Sequence, residues 1–443
     1  MTILNINKIL TVLFFISIFL IPFDSFPLFP TDSVYRPISF FPLIVAFIVM
    51  IYSNKINRFT LYLFFATVGI FVYSIILSSV FFDSYLHLTK AATTLVLFFI
   101  MLSVFHAVIK YNLQNNERYF LQRMGAWSFY SLIFISLIGF IQFSMKINLI
   151  PFSLADQITS LFSYRWAGRM QMVSGEPSWM VRNLLFLGVF IYFFYFGKYR
   201  RIAIGILLFF LFISGSTYGY LTIFLFIFCY VMLFRSSLIF NLRFIFGSIL
   251  IAIIFLILKN NFLDGYTLNK LDIVYRIFTN FDSLTLTIME IVKSDGSAFQ
   301  RIMNPIIGFM SGESTNYLGT GIDGYRYIYP YYIENYFPFA METNLVSEIV
   351  SGEGYATPKS LYSKIYAELG LIPFLLFLSF LIYLYRKIRK LSYSKHYLFL
   401  SITYSLSLVY ILNADSIINL NYFLYLVLIA LIIKHENRVF NAS

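Results

Sequence analysis

Long runs of apolar residues recur along the chain, and short polar stretches rich in lysine and arginine separate them. A helix needs about 20 apolar residues to cross the hydrocarbon core of a bilayer. The pattern therefore predicts an all-α polytopic integral membrane protein, with some spans short enough to require tilt or a thinner membrane. About twelve transmembrane helices are predicted, near residues 8–23, 37–52, 59–80, 91–109, 124–145, 179–197, 201–213, 219–234, 244–258, 367–385, 397–413 and 418–433.

Composition supports the same class. The 443 residues are 60% hydrophobic and 12% charged, whereas a soluble domain carries about 25% charged residues. The net charge of +12 is better explained by basic cytoplasmic loops than by nucleic acid. The single cysteine, Cys229, lies in an apolar run, which excludes disulfides and cysteine-based metal sites. The four histidines are scattered, so no metal site and no cofactor are expected.

The basic residues also predict the orientation of the chain. With the N-terminus inside, 18 lysines and arginines fall on short inner loops and only Arg36 and Lys90 on short outer ones. Positive charge favours the cytoplasmic side, so both termini are predicted to be cytoplasmic. The chain then divides into helices 1–9 (residues 1–258, with an outer loop near 146–178), a large outer loop (259–366, partly amphipathic helical) between helices 9 and 10, and helices 10–12 with a cytoplasmic tail (367–443).

One predicted hairpin is too short for the membrane. Arg201 and Arg235 are both predicted to lie on the cytoplasmic side, and the break "SGSTYG" between them contains Ser216. Each leg of about 12–16 residues reaches roughly 18–24 Å, less than the ~30 Å hydrocarbon core. Bare backbone at that depth is tolerated only inside protein or beside a polar cavity. The turn is therefore predicted to sit below the outer surface, at a cavity that opens outward.

The first cluster of candidate functional residues lies in "YRWAGRMQMVSGEPSWMVR". Arg165, Arg169 and Arg182 suit phosphate oxygens because guanidinium forks bind them bidentately. Ser174 or Gly175 is predicted to cap the following helix, with Glu176 in its first turn. Arg182 should face a partner or a cavity, since charge inside a membrane is costly. The alternative is that the arginines lie among lipid headgroups and the glutamate serves the helix dipole.

Three further segments carry candidate residues on the large outer loop or at its end. They are Ser297 and Arg301 in "SDGSAFQRIM", Gly319, Gly321, Tyr325 and Arg326 in "YLGTGIDGYRYIYPYY", and Lys359, Lys364 and Glu368 in "TPKSLYSKIYAELGLIPF". Tyrosine rings stack on sugars while their hydroxyls bond sugar hydroxyls. The alternatives are a surface helix with one solvated arginine, an interfacial aromatic belt and lysines that anchor a helix entry.

The ordered set of these segments resembles the O-antigen and capsule repeat-unit polymerases of the Wzy type, and the related O-antigen ligases. The segments are "GEPSWM", "SGSTYG", the Ser297–Arg301 step before "GTG", and "AELGLIPF", and the resemblance covers about residues 125–390. Ligases and some relatives carry a histidine about nine residues before the Glu-Leu-Gly, where this chain has Lys359. That departure favours a polymerase and leaves the identity of the catalytic base open.

The resemblance implies a bacterial inner-membrane enzyme that joins two undecaprenyl-pyrophosphate-linked oligosaccharides at the periplasmic face. Lipid-linked donor and acceptor, membrane lipid and a chain-length regulator protein are its implied partners, and nucleic acid is not. Arg165, Arg169 and Arg301 would neutralise the departing pyrophosphate without a metal, and Glu176 would orient an arginine or accept a proton. Substrate contacts are expected from Arg182, Ser216, Ser297, Gly319, Gly321, Tyr325, Arg326, Lys359 and Glu368.

Two other functions remain open from the sequence. A polysaccharide flippase or other secondary transporter would suit twelve spans, but such proteins typically show internal repeats, and none is visible in this sequence. A non-catalytic membrane scaffold would not need the clustered arginines.

Overall fold

The structure is a computed structural model that describes residues 3–28, 35–82, 88–164, 168–235, 296–414 and 416–442. Within these residues the regular structure is helical, apart from one isolated bridge between Ser25 and Arg36. The α-helices described are α1 (Ile3–Leu20), α2 (Phe40–Tyr52), α3 (Arg58–Phe81), α4 (Leu88–Lys146), α5 (Phe152–Ser160), α6 (Pro177–Phe194), α7 (Arg200–Ile213), α8 (Thr217–Phe234), α9 (Gly296–Ser314), α10 (Tyr325–Tyr336), α11 (Asn344–Val350), α12 (Leu361–Leu369), α13 (Leu371–Lys390), α14 (Tyr397–Asn413) and α15 (Leu420–Ala442).

Four of the described helices, α3, α4, α6 and α13, are long and apolar enough to cross a membrane. Shorter apolar helices occupy Ile6–Leu20, Phe40–Tyr52, Tyr218–Phe234 and Tyr397–Asn413. Each predicted span within the described residues overlaps a helix, although the span 367–385 falls on two helices, and the predicted span 244–258 lies outside the described residues. The helical membrane class is thus supported, while the count of twelve spans and the orientation stay predictions.

Helix α4 contains two of the predicted spans, and it bends sharply between them. Asn116 has non-helical φ and ψ of −156° and 79°, and its side chain accepts the backbone N–H of Tyr119, as a helix cap does. The rings of Phe105 and Phe120 each lie 5.8 Å from Phe14 of α1. Residues 15 apart on a straight helix would be about 22 Å apart. The chain therefore turns back at Asn116, and both halves pack against α1.

Polar side chains beside the bend in α4 contact residues from distant parts of the chain. Asn112 Nδ2 donates to Thr11 Oγ1, midway along α1, and Glu117 pairs with Lys395 at 3.1 Å and also contacts His396 and His435. The segments that carry Asn112, Glu117, Lys395, His396 and His435 were all predicted to be cytoplasmic. The segment after α1 contacts the loop before α6 instead, since Gly175 N–H donates to Asp24 Oδ1 at 2.9 Å.

The described part of the predicted large outer loop, residues 296–366, folds around a small core of its own, and we call it the outer region. Phe299, Ile307, Tyr325, Tyr329 and Ile333 are buried in that core, which is built from α9 to α12 and the 3₁₀ turn Pro338–Glu342. Residues 259–295, where amphipathic helices were also predicted, lie outside the described residues.

This outer region packs on the flank of α3. The hydroxyl of Tyr73 donates to the carbonyl of Leu318 at 2.7 Å, and the backbone N–H of Ile322 donates to Ser74 Oγ at 3.1 Å. Ile322 also packs beside Leu95 of α4. The segment after α9 is therefore held against two of the helices that are long enough to cross a membrane.

The junction before α13 differs from the prediction of a span that begins at residue 367. Helix α12 ends at Leu369, Gly370 takes a φ of +88°, and α13 begins at Leu371. The segment 317–321 crosses this break, because Thr320 N–H donates to Ala367 O at 2.9 Å and Leu371 N–H donates to Tyr317 O at 2.9 Å. The break lets backbone pack directly on backbone.

Replacing Gly370 by alanine is expected to destabilise the protein by about 1–3 kcal/mol, because φ is positive there and the new Cβ would lie 2.5 Å from Leu318 O. Gly205→Ala is the matched control, since that helical glycine has open space around it and alanine favours a helix by about 1 kcal/mol. The measurement is the thermal unfolding midpoint of purified protein in detergent. Equal midpoints for the two variants would contradict this account of the junction.

Candidate functional site

The site begins at the start of α6, where Glu176 is the N-cap residue and Pro177 fills the first helical position. The predicted cap, Ser174 or Gly175, is therefore displaced by one or two residues. The Glu176 side chain makes no capping hydrogen bond. Its carboxylate instead pairs with Arg301 at 3.1 Å and accepts the Ser178 hydroxyl at 3.3 Å. Because the Glu176 carboxylate does not cap α6, it is available to a residue that is distant in sequence.

Arg301 reaches this carboxylate from α9, across 125 positions of sequence. Its guanidinium carbon also lies 4.4 Å from the centre of the Tyr218 ring, which belongs to the first turn of α8. The side chains of Arg301 and Glu176 are 31% and 33% exposed, so a ligand can reach both. Three of the segments singled out in the sequence therefore meet at one half-exposed ion pair.

The turn between α7 and α8 lies beside this pair, and it is buried in protein. Ser214 and Ser216 are 3% and 5% exposed, and Gly215 has a φ of +59°. The Ser216 hydroxyl accepts the Gly219 N–H at 3.0 Å and so caps α8. Its predicted contact with substrate stays a prediction. Helix α7 has 14 residues as predicted, but α8 has 18, so the second leg is longer than expected.

A buried carboxylate that sequence reasoning did not select, Asp24, fixes the loop before Glu176. Its Oδ1 accepts the Gly175 N–H at 2.9 Å, and its Oδ2 accepts Asn183 Nδ2 at 2.8 Å. Burial raises the pKa of Asp24 to about 7, although the hydrogen bonds from Gly175 and Asn183 lower it. The sequence signal was a lone acidic residue directly after the first apolar run.

Arg182 is 8% exposed and lines a small polar pocket together with Asp24, Tyr35 and Asn183. Its guanidinium carbon lies 5.7 Å from the Trp179 ring. The pocket has room for about one water molecule. Arg182 therefore faces a polar pocket, as expected for a charged residue on an apolar helix. Its predicted contact with substrate stays a prediction.

A second charged cluster lies at the end of α12. The Lys364 ammonium is 3.2 Å from a carboxylate oxygen of Asp323 and 3.2 Å from one of Glu368. The three side chains are 8%, 4% and 3% exposed. Burial alone would raise the pKa of Asp323, but the Lys364 and Lys90 ammonium groups outweigh it and lower that pKa. Glu368, predicted to contact substrate, is thus placed in a buried ion triad with Lys364 of the same candidate segment and with Asp323, which the sequence did not select.

The other predicted site residues have mixed surroundings. Gly319 and Gly321 have φ values of +88° and +79° in the segment that crosses the α12–α13 junction. Tyr325 is buried, and its hydroxyl donates to the Asn304 carbonyl at 3.2 Å. Arg169 is exposed on the loop before Glu176, and Lys359 is half-buried with a φ of +56°.

Two of the predicted site residues lie outside the described part of the structure, Arg165 entirely and Ser297 through its side chain. Among the described residues, no group of three or more metal-ligating side chains is close enough to hold a metal ion.

Comparisons of the chain with protein-family models, with curated proteins and with solved structures find no match.

Proposed function

We propose that this protein polymerises lipid-linked oligosaccharide repeat units into a surface polysaccharide, at the periplasmic face of a bacterial inner membrane. The donor would be the growing chain on undecaprenyl pyrophosphate, and the acceptor would be a lipid-linked repeat unit. The reaction would be a metal-independent glycosyl transfer. It follows from the sequence resemblance together with the chemistry that the Glu176–Arg301 pair offers.

The observation that carries the proposal is the contact of Arg301 with Glu176 at 3.1 Å and with the Tyr218 ring at 4.4 Å. These residues belong to three of the four segments on which the resemblance rests. The fourth segment, at the end of α12, is linked through α9, since Asn304 Nδ2 of α9 donates to the carbonyl of Thr357 at 2.8 Å just before α12. A chance resemblance would not require segments so far apart in sequence to meet.

The proposed glycosyl transfer requires positive charge beside the leaving pyrophosphate. A hydroxyl oxygen of the acceptor sugar attacks the anomeric carbon of the donor sugar. The bond from that carbon to the pyrophosphate oxygen breaks, and the lipid pyrophosphate leaves with the electron pair. A guanidinium beside that oxygen stabilises the developing charge, and it is most effective where little water competes. Arg301 is about one-third exposed, so a donor pyrophosphate can reach its guanidinium and displace water from it.

Glu176 serves this reaction in one of two ways. By pairing with Arg301 it holds the guanidinium in a fixed direction, and the Tyr218 ring supports the same side chain from another side. A carboxylate beside the guanidinium also suits the proton that the acceptor hydroxyl releases. The aromatic neighbour further offers a stacking face for a sugar ring.

The test is the polysaccharide profile of a strain that lacks this gene. A polymerase predicts loss of long chains while single repeat units remain attached to their carrier. Complementation with the intact gene should restore the long chains. Loss of all attached glycan would instead indicate a ligase or a flippase, and an unchanged profile would exclude all three functions.

A further inference from the structure

Two cations beside the buried Lys364 triad share one aromatic ring. The Lys90 ammonium lies 3.1 Å from the centre of the Tyr355 ring, and the Arg326 guanidinium carbon lies 5.8 Å from the same centre. Arg326 also donates to the Tyr327 hydroxyl at 2.7 Å. Lys90 is exposed, while Arg326, Tyr327 and Tyr355 are half-buried. We call these four residues the Lys90–Arg326 patch.

The charge of this region is not balanced by the described residues. Asp323 and Glu368 are both within 3.2 Å of Lys364, whereas neither Lys90 nor Arg326 has a carboxylate of a described residue within 4.0 Å. Lys90 interacts electrostatically with Lys364 and Arg326 as well as with the two carboxylates. Three cations against two carboxylates leave a net positive charge. In addition, Arg326 Nε is buried and has no hydrogen-bond partner among the described residues.

The patch is located where two apolar helices end. Lys90 lies in the first turn of α4, and Phe82, the residue after α3, places its ring 5.1 Å from that of Tyr327. The ends of apolar helices lie at the level of lipid headgroups. Helix α10 also begins here, at Tyr325, and the N-terminal ends of helices favour anions. The positive charge, the N-terminal end of α10 and the position at the ends of two apolar helices all favour an anionic group at the level of the lipid headgroups.

We infer that the Lys90–Arg326 patch binds a phosphate group carried by a membrane lipid, at a site separate from the Glu176–Arg301 pair. The guanidinium offers a planar fork to phosphate oxygens, and the ammonium adds a point charge. Tyr327 completes the site, since its hydroxyl accepts from Arg326 and can donate its own proton to a phosphate oxygen. The Tyr355 hydroxyl is hydrogen-bonded to Asp323, so Tyr355 contributes its ring face, on which Lys90 lies. A second phosphate site is what a reaction between two lipid-linked molecules needs. In that respect alone the inference rests on the proposed function.

The experiment measures the number of lipid molecules bound to the purified full-length protein in detergent micelles, and their affinity. Undecaprenyl phosphate is titrated and followed by native mass spectrometry, and phosphatidylglycerol and inorganic pyrophosphate are titrated as separate probes. The intact protein is expected to bind two equivalents of undecaprenyl phosphate. Lys90→Gln and Arg326→Gln are each expected to weaken one of them about tenfold, as for loss of a hydrogen bond to a charged group. The double variant is expected to bind only one.

The control is Lys390→Gln, because Lys390 is an exposed lysine in the last turn of α13, about 29 Å along that helix from the α12–α13 junction, and it should leave both equivalents intact. Lys90→Gln removes an exposed side chain and so tests the site even where the double variant is unstable. Arg301→Ala separates the two ideas: if it keeps both equivalents while Lys90→Gln loses one, the patch stands and the donor role of Arg301 falls.

Competition identifies the source of the phosphate. Displacement of undecaprenyl phosphate by equimolar phosphatidylglycerol would assign the patch to a general headgroup, and resistance to it would assign the patch to the polyprenyl carrier. Unchanged affinity and stoichiometry in Lys90→Gln and the double variant would overturn the inference. Equal binding of inorganic pyrophosphate would overturn its claim that the ligand is a lipid.

Discussion

Replacing Arg301 by alanine is expected to abolish long polysaccharide chains while the protein remains in the membrane at its normal level. Loss of one group that stabilises charge in the transition state typically lowers a rate by about 10²–10³. The ion pair with Glu176 is about one-third exposed, and such pairs contribute only about 0–1 kcal/mol to stability. A loss of polymer would therefore reflect chemistry rather than unfolding. Chain length on a gel and immunodetection of the protein in membranes provide the measurement.

Conservative variants sharpen this test. Arg301→Lys keeps the charge but loses the planar fork, so an intermediate chain length is expected. Glu176→Gln keeps the shape and removes the charge, and it should resemble Arg301→Ala if the carboxylate orients the guanidinium or accepts the proton.

Arg118→Ala is the matched control, because Arg118 is exposed beside the bend in α4 and far from the Glu176–Arg301 pair in sequence. Arg36 would be a poor control, since its guanidinium carbon lies 3.6 Å from the ring of Tyr164, just before the arginine-rich loop. Normal long chains in both Arg301→Ala and Glu176→Gln would remove the catalytic role of the pair.

Replacing Lys364 by methionine is expected to destabilise the fold by about 3–5 kcal/mol, the typical cost of leaving buried charges without their partner. Methionine keeps most of the length of the side chain but leaves Asp323 and Glu368 facing each other with no ammonium between them. Both carboxylates are less than 5% exposed, so water cannot replace the lost contact. The unfolding midpoint of the purified protein in detergent should fall steeply, and the amount in membranes should fall with it.

The matched variant removes all three charges together. Lys364→Met combined with Asp323→Asn and Glu368→Gln should recover much of the lost stability, because replacing a whole buried ion cluster is often nearly neutral. If the triple variant is as unstable as Lys364→Met, the cost lies in packing and not in unpaired charge.

The length of apolar runs was sufficient to place most of the described apolar helices, although it missed the break at Gly370 and the short helices of the loops. The prediction of two spans on either side of residue 116 is one example, since a polar stretch with Asn116 interrupts two apolar runs and its side chain caps the second half. The turn at Ser214–Ser216 is another, because short apolar runs on either side predicted that it is buried, and it is, although α8 is longer than the predicted leg. Both inferences depend only on the local sequence, namely the length of the apolar runs and the polar residues that interrupt them.

The partners of isolated charges were not predictable in the same way. Asp24 and Asn183 are 159 positions apart, and Lys364 and Asp323 are 41 apart. A single charged residue at the end of an apolar run has the same local pattern whether it anchors a helix among headgroups or pairs inside the protein. Only the packing of helices distinguishes the two. The same holds for Lys90, which the sequence assigned to a short outer loop.

The contact of Ile322 with Ser74 has a consequence for how substrate would arrive. Ser74 lies seven residues before the end of α3, or about 10 Å along the helix. Ile322 thus contacts α3 along the side of the helix and not at its end. Under the proposed function, lipid-linked molecules would reach the Glu176–Arg301 pair and the Lys90–Arg326 patch by lateral diffusion in the bilayer. Their prenyl tails would stay in the bilayer throughout. The reaction rate would then follow the surface density of the carrier in the membrane, and only the growing sugar chain would extend into the aqueous compartment.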